Sequence, residues 1–371
     1  MSTKLVLITA LVTVPLSMPL PAQTTLKDAY RGSFKIGAAL NRAIYTGSDA
    51  AGAALVKTEF NSISPENDLK WEMIHPTAQG FNFEPADRYV EFGEKNHMFI
   101  IGHCLIWHSQ TPRWVFTDDQ GKEVGRDELL RRMKDHIAAV VGRYKGRVNG
   151  WDVVNEALNE DGTLRRSQWQ RIIGDDYIAK AFEYAHEADP KAELYYNEYS
   201  TENEPKRKGG VELIRKLLAA GVPVTAVGIQ GHYHMDWPTI EQLDATITAF
   251  AALGVKVNLT ELDLDILPAV VTGTSADVNQ RAQATAAANP YTAGLPEEKQ
   301  KELGARYAAM FKVFLKHRDA ITRVTFWGVT DKGSWLNNFP ARGRTNYPLL
   351  FDREGKPKPA FDAVIAEAKA R

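Results

Sequence analysis

The chain has 371 residues, 44% hydrophobic and 25% charged, an ordinary globular composition. Its 45 basic and 46 acidic side chains leave a net charge of −1, so nothing in the balance favours nucleic acid or an anionic membrane as partner. One cysteine, Cys104, excludes an internal disulfide and any Cys-rich zinc site, and its setting His-Cys-Leu-Ile-Trp reads as a packing thiol rather than a nucleophile.

The first residues differ from the rest. Lys4 precedes the apolar run LVLITALVTVPL, and Leu20-Pro21-Ala22 follows. A basic start, a short apolar core and a small residue at a plausible cleavage position predict a secretory signal peptide over residues 1–22, and hence a secreted or periplasmic protein. The core is too short for a comfortable membrane span.

Eight β-rich runs then recur: FKIGAAL (34–40), FNSISPEN (60–67), FIIGHCLIW (99–107), VNGWDVVNEA (148–157), AELYYNEYS (192–200), AVGIQGHYH (226–234), KVNLTELD (256–263) and VTFWGVTD (324–331). Helical periodicity fills the gaps between them. Leu129, Leu130, Met133, Ile137, Val140, Val141 and Tyr144 form one apolar stripe over 126–144; similar stripes predict helices over 208–220, stopped by Gly221 and Pro223, and over 302–315. This alternation predicts an α/β fold with a parallel sheet, and eight units predict a single-domain (β/α)8 TIM barrel over 26–371. An open doubly wound sheet is the rival, but its Gly-rich phosphate loop is missing after the first strand, where ALNRAIY stands.

Several runs begin apolar and end in functional side chains: Glu66-Asn67, His103 and Trp107, Asn155-Glu156, Glu198-Tyr199, Gln230 with His232 and His234, Glu261 and Asp263, Trp327 and Asp331. In a barrel these strand ends meet at one rim, where active sites form. Polar residues also end strands because loops are wet. That accounts poorly for the same bias at seven strands with Trp and His included.

Three chemistries fit such a rim. Glu156 and Glu261 end strands four and seven, on opposing sides of the ring, so one could protonate a glycosidic oxygen while the other attacks the anomeric carbon. A metal hydrolase would draw on His103, His108, His232 and His234, with His-x-His on one strand face. However, no histidine pair marks the first strand, and imidazoles also bind sugar hydroxyls. A carbohydrate-binding barrel without catalysis would use Trp107, Trp327 and Trp335 for stacking but would not need two opposed acids. Trp114, Trp151 and Trp169 read as core.

The motifs ENDLKW (66–71), GHCLIWHSQTPRW (102–114), WDVVNEA (151–157), GIQGHYH (228–234) and TELD (260–263) resemble glycoside hydrolase family 10, the retaining endo-β-1,4-xylanases on (β/α)8 barrels. The resemblance runs from LKDAY at 26 to the C-terminal tail and implies no metal and no cofactor. It implies that Glu156 is the general acid/base and Glu261 the nucleophile, with Glu156 protonated when it donates and Glu261 ionised when it attacks. Asn155 then suits the sugar 2-hydroxyl, His232 orients Glu261, and Asp263 stands behind that pair. Glu66, Asn67, Lys70, His103 and Gln230 match the glycone-side hydrogen-bonding positions, Trp107, Trp327 and Trp335 the aromatic walls, and Tyr199 a leaving-side platform. The implied substrates are xylan and xylo-oligosaccharides, taken by a monomer. Two positions depart from the family pattern: Cys104 stands where a hydroxyl residue is usual, and Glu198 where Asp is.

Residues 268–297 form a long Ala/Thr/Asn-rich connection after strand seven. It reads either as a flap on the product side with Tyr291 in contact, or as surface with a short helix near 277–288. Selectivity for xylan over a β-1,4-glucan, the rival substrate, would come from Trp327 and Trp335 closing the space that the glucose hydroxymethyl group needs.

Overall fold

The computed structural model describes residues 24–269, 282–283 and 285–370. The predicted signal peptide lies outside the described residues. Eight parallel strands form the ring: β1 (Lys35–Leu40), β2 (Ser62–Pro65), β3 (Phe99–Trp107), β4 (Gly150–Asn155), β5 (Glu193–Glu198), β6 (Ala226–Ile229), β7 (Lys256–Asp265) and β8 (Ile321–Phe326). Each pairs with its sequence neighbour, and β8 pairs back onto β1, with Lys35 opposite Arg323, which closes the barrel.

A helix covers every crossover, for a reason visible in each sequence. Arg126–Arg143 buries Leu129, Met133, Ile137, Val140 and Val141, carries Asp127 and Glu128 in its first turn and ends on Arg143, so both ends complement the helix dipole. Ile240–Ala251 opens on a capping box between Thr239 and Gln242. Glu204–Ala219 begins four residues before the expected 208 because Pro205 sits in its first turn, where no N–H is needed. Glu297–Lys316 likewise starts ahead of the expected 302 on Glu297 and Glu298, acidic residues that favour a helix start but carry no apolar stripe.

Most strands end within two residues of their expected spans; β7 runs on to Asp265, so Glu261 lies within the strand rather than at its end. Two others differ more. The sixth run breaks at Gly231, whose φ is 85°, leaving β6 and a separate short strand, His232–His234, that pairs with β7 and sets His232 opposite Asp263. The last strand runs three residues earlier than expected and stops before Gly328, whose φ of 132° no strand tolerates. Within 268–297, residues 282–283 pair as a strand with Ala341–Arg342 rather than as part of a helix; 270–281 lie outside the described residues. Tyr291 packs against the core, and its main-chain carbonyl accepts from the Tyr347 hydroxyl at 2.6 Å.

One large apolar core lies between strands and helices, and Trp151 and Trp169 are within it while Trp114 packs on its edge. A second, small cluster joins Ile101, Tyr195 and Ala226. Ile101 is on β3 and Tyr195 on β5, strands that are not neighbours, so they meet only across the ring. The inner wall is otherwise polar toward the strand ends: His103, Asn155, Asn197, Thr260 and Glu261 are all nearly or fully buried. Asn155, Asn197, Thr260 and Glu261 are hydrogen-bonded to one another, which offsets the cost of burying them.

Candidate active site

The acid at the end of β4 is held by its neighbours' N–H groups. Asn155 is the last residue of β4 and Glu156 follows in a left-handed turn, φ 59°. Such a backbone costs a non-glycine residue about 1–3 kcal/mol and persists where the surroundings impose it. The Glu156 N–H donates to the Asn197 carbonyl at 2.9 Å. Its Oε2 accepts from the Trp107 indole at 2.8 Å, and its Oε1 from Gln230 Nε2 at 2.9 Å and Asn155 Nδ2 at 3.3 Å.

From there an amide chain crosses the barrel mouth. Asn155 Oδ1 accepts from Asn197 Nδ2 at 2.9 Å, and the same Nδ2 donates to Glu261 Oε1 at 2.7 Å. Thr260 Oγ1 donates to Asn197 Oδ1 at 2.6 Å and so fixes which way that amide faces. Strands four and seven thus deliver their carboxylates to one hydrogen-bonded cluster.

Glu261 has a different environment. Its Oε2 faces His232 Nε2 at 3.2 Å, and His232 Nδ1 faces Asp263 Oδ1 at 2.9 Å. Asp263 in turn accepts from the Trp335 indole at 2.7 Å. Burial alone would raise the Glu261 carboxyl, but the His232 hydrogen bond, the charges of His103 and His232 and the Asn197 amide outweigh it and hold Glu261 below the usual carboxylate range. Burial also opposes an imidazolium at His232; Asp263 and Glu261 overcome this and push it up to about 10. Burial raises the Asp263 carboxyl, with the charge of His232 and the Trp335 hydrogen bond opposing. The trio thus sets an imidazolium between two carboxyl groups.

That arrangement has a stability signature. The folded His232 binds its proton more tightly than the unfolded chain, whose histidine titrates near 6.5, so the contribution is complete below about pH 6.5 and is lost as pH rises toward about 10. The thermal midpoint is expected to fall over that window, and His232→Asn is expected to flatten the fall. Parallel curves for the two proteins, measured by calorimetry from pH 6 to about 10.5, would show that His232 is not held charged.

The remaining predicted residues line the cluster. Lys70 Nζ donates to Asn67 Oδ1 and Gln110 Oε1, both at 3.0 Å, and lies 5.2 Å from the centre of the Trp107 ring. Burial raises the Glu66 carboxyl, with Lys70 and Asn67 opposing. His103 Nδ1 meets Asp152 Oδ2 at 2.9 Å, and Trp327 stands edge-on between His103 and His232, with ring centres 5.4 and 6.2 Å away. Trp335 stacks on Phe339 at 4.7 Å, so its ring is braced on one face and tied by its indole N–H. The Tyr199 hydroxyl accepts from Arg165, and Lys206 Nζ sits 3.2 Å from its ring centre.

Three expected rim groups do not join them. Glu198 is fully buried behind the rim, where it pairs with Lys206 at 3.1 Å and accepts from the Tyr196 hydroxyl and the Leu158 N–H. Asp331 is buried against Lys358 at 2.9 Å, beyond the end of β8. His234 is exposed, and no group of three or more His, Cys, Asp or Glu side chains suited to a metal ion occurs among the described residues. Cys104 is buried, and burial drives its thiol far above its ordinary value.

Sequence reasoning passed over Asn197, Thr260, Asp152 and Gln110. Only the strand register, which the sequence does not give, separates Asn197 from Glu198: Asn197 pairs with Asn155, so alternation puts both amides on the inner face and Glu198 on the outer one.

A closed barrel with two carboxylates at its mouth, one of them held ionised and both tied to a common amide relay among aromatic walls, defines a glycoside hydrolase. Residues 25–367 match the model of glycosyl hydrolase family 10. Endo-1,4-beta-xylanase A of Xylanibacter ruminicola is 44% identical over 96% of both chains, and the beta-1,4-xylanase of Dictyoglomus thermophilum is 42% identical over 92% of this chain and 90% of its own. Among solved structures, a GH10 endoxylanase from a sugarcane soil metagenome superposes with a TM-score of 0.89 at 46% identity, covering 93% of this chain and all of that one. The chain belongs to glycosyl hydrolase family 10.

Proposed function

We propose that the chain is an endo-1,4-β-xylanase that cleaves internal xylosidic bonds with retention, with Glu261 as nucleophile and Glu156 as acid/base. The joint placement of the two carboxylates carries the reading. Glu261 lies against an imidazolium and an amide that favour its charge, and Glu156 stands at the other end of the same amide relay across the barrel mouth. An ionised Glu261 attacks the anomeric carbon as Glu156 hands its proton to the leaving oxygen. Once the glycosyl ester forms, the charge on Glu261 is gone; Glu156 is now the anion and takes a proton from the incoming water. Asn155 sits beside Glu156 and inside the relay, placed to bind the 2-hydroxyl as charge develops at the anomeric centre. No cofactor enters either step.

Glu66, Asn67, Lys70, His103 and Gln230 hold the glycone, with Trp107, Trp327 and Trp335 as its walls; Tyr199 carries the first leaving-side sugar. Trp335 is braced by Phe339 and Asp263, so it cannot easily retreat from a hydroxymethyl group at C5, which supports xylan over β-1,4-glucan. The protein is proposed to act as an exported monomer after loss of residues 1–22. Support comes from the basic-apolar-small pattern of that segment, and no helix among the described residues is long and apolar enough to cross a membrane.

The test is the anomer released first. Proton NMR within the first turnovers on xylo-oligosaccharides is expected to show the β-anomer, with kcat/KM far higher on xylan than on cellulose. An initial α-anomer overturns retention, and a preference for cellulose overturns the substrate.

A further inference from the structure

We infer that Arg165 is a positioning residue that locks the turn carrying Glu156 and the leaving-side Tyr199 into one frame. The inference rests on the acid/base role proposed for Glu156. It starts from an unfavourable backbone: Glu156 is a non-glycine residue at φ 59°, directly after the last residue of β4. Its N–H is anchored on β5 through the Asn197 carbonyl at 2.9 Å, but its carbonyl has left the strand ladder.

Arg165 takes up that carbonyl. Its Nε donates to Glu156 O at 3.1 Å, and its Nη2 donates to Leu158 O at 3.0 Å and to the Tyr199 hydroxyl at 2.9 Å. Its own main-chain N–H donates to Ala157 O at 2.7 Å. The chain between leaves as an excursion closed on itself, with Leu158 bridged to Leu164 and Asn159 N–H on Thr163 O at 2.8 Å. One half-buried guanidinium thus spans the turn after β4 and the phenol after β5. A planar fork reaches separate acceptors in fixed directions, which a lysine ammonium does not.

The consequence is directional. Without the fork, the turn keeps its strand anchor and the main-chain bond to Ala157 O but loses the side-chain bonds to Glu156 O and Leu158 O, and the Glu156 carboxyl shifts relative to the oxygen it protonates. A misplacement of this size costs on the order of 10²-fold in rate. The loss falls on bonds whose leaving group needs a proton and spares those that do not.

The experiment uses Arg165→Met and Arg165→Lys in the full chain, with xylotetraose and 2,4-dinitrophenyl β-xylobioside as substrates. For Arg165→Met, kcat/KM on xylotetraose is expected to fall about 30- to 100-fold. On the dinitrophenyl substrate, whose first step needs no acid, it should fall by less than about threefold. Arg165→Lys should lose less on xylotetraose, keeping one of the bonds, and carries the comparison if the methionine variant does not fold. Equal losses on both substrates, or a loss below about threefold on each, overturn the inference. Glu156→Ala on the same substrates separates the two failures. If it lacks the split, the role of Glu156 falls; if it shows the split and Arg165→Met does not, only Arg165 falls.

Discussion

Glu261→Ala is expected to fold normally and to lose xylan turnover by about 10⁵- to 10⁶-fold, the scale on which an enzyme stripped of its nucleophile falls back. The variant removes one carboxylate from a trio whose other two members, His232 and Asp263, remain paired at 2.9 Å. No buried charge is orphaned, so the loss is catalytic and the thermal midpoint should shift little. The space left by the side chain is lined by His232 Nε2 and Asn197 Nδ2, and on the proposed mechanism it faces the α side of the sugar. Azide should occupy it. With a β-xylobiosyl fluoride as donor, whose leaving group departs without a strong acid, the variant is expected to make the α-azide, a single inversion. Detection of the β-azide instead, or residual xylan turnover near wild type, would remove Glu261 from the nucleophile's place.

Much of this geometry was legible in the sequence because barrel strands are self-announcing. The run FIIGHCLIW coincides with β3 residue for residue, since β-branched and aromatic residues fill a segment buried on both faces. Glu156 stood out as a carboxylate closing an apolar run and Glu261 as one within a run buried at every neighbouring position, placements that core packing does not explain. What the sequence hid follows from the period of two. Asn197 and Glu198 are adjacent, so they face opposite sides; without a register, the charged one looked functional and the amide looked incidental, and the structure reverses them. Asp331 closes the β-rich run VTFWGVTD in the sequence, but the strand ends at Phe326, before Gly328, so its place in the run does not put it on the rim. Arg165 left no trace at all. Its role depends on a nine-residue excursion folding back on the turn that began it, and neither hydrophobic period nor local motif encodes a guanidinium returning to a carbonyl.

Glu156→Ala should behave differently from Glu261→Ala, and the difference assigns the two roles. On xylan, where the departing hydroxyl needs a proton, kcat/KM should drop by about 10²- to 10⁴-fold, the usual worth of a positioned general acid. On 2,4-dinitrophenyl β-xylobioside the first step needs no acid and kcat/KM should stay near wild type. Glycosyl-enzyme then accumulates, because no base activates water for the second step, and a burst of dinitrophenolate is expected to precede slow turnover. The alanine leaves Trp107 Nε1 and Gln230 Nε2 pointing into an empty position, which on the proposed mechanism lies on the β face. Azide, which needs no base, should enter there, restore steady-state turnover and leave as the β-azide. The two variants thus trap the same anion on opposite faces of the same sugar. An α-azide from Glu156→Ala, or no response to azide while the burst persists, would mean that Glu156 does not stand on the leaving side, and the acid would have to be sought elsewhere on the rim.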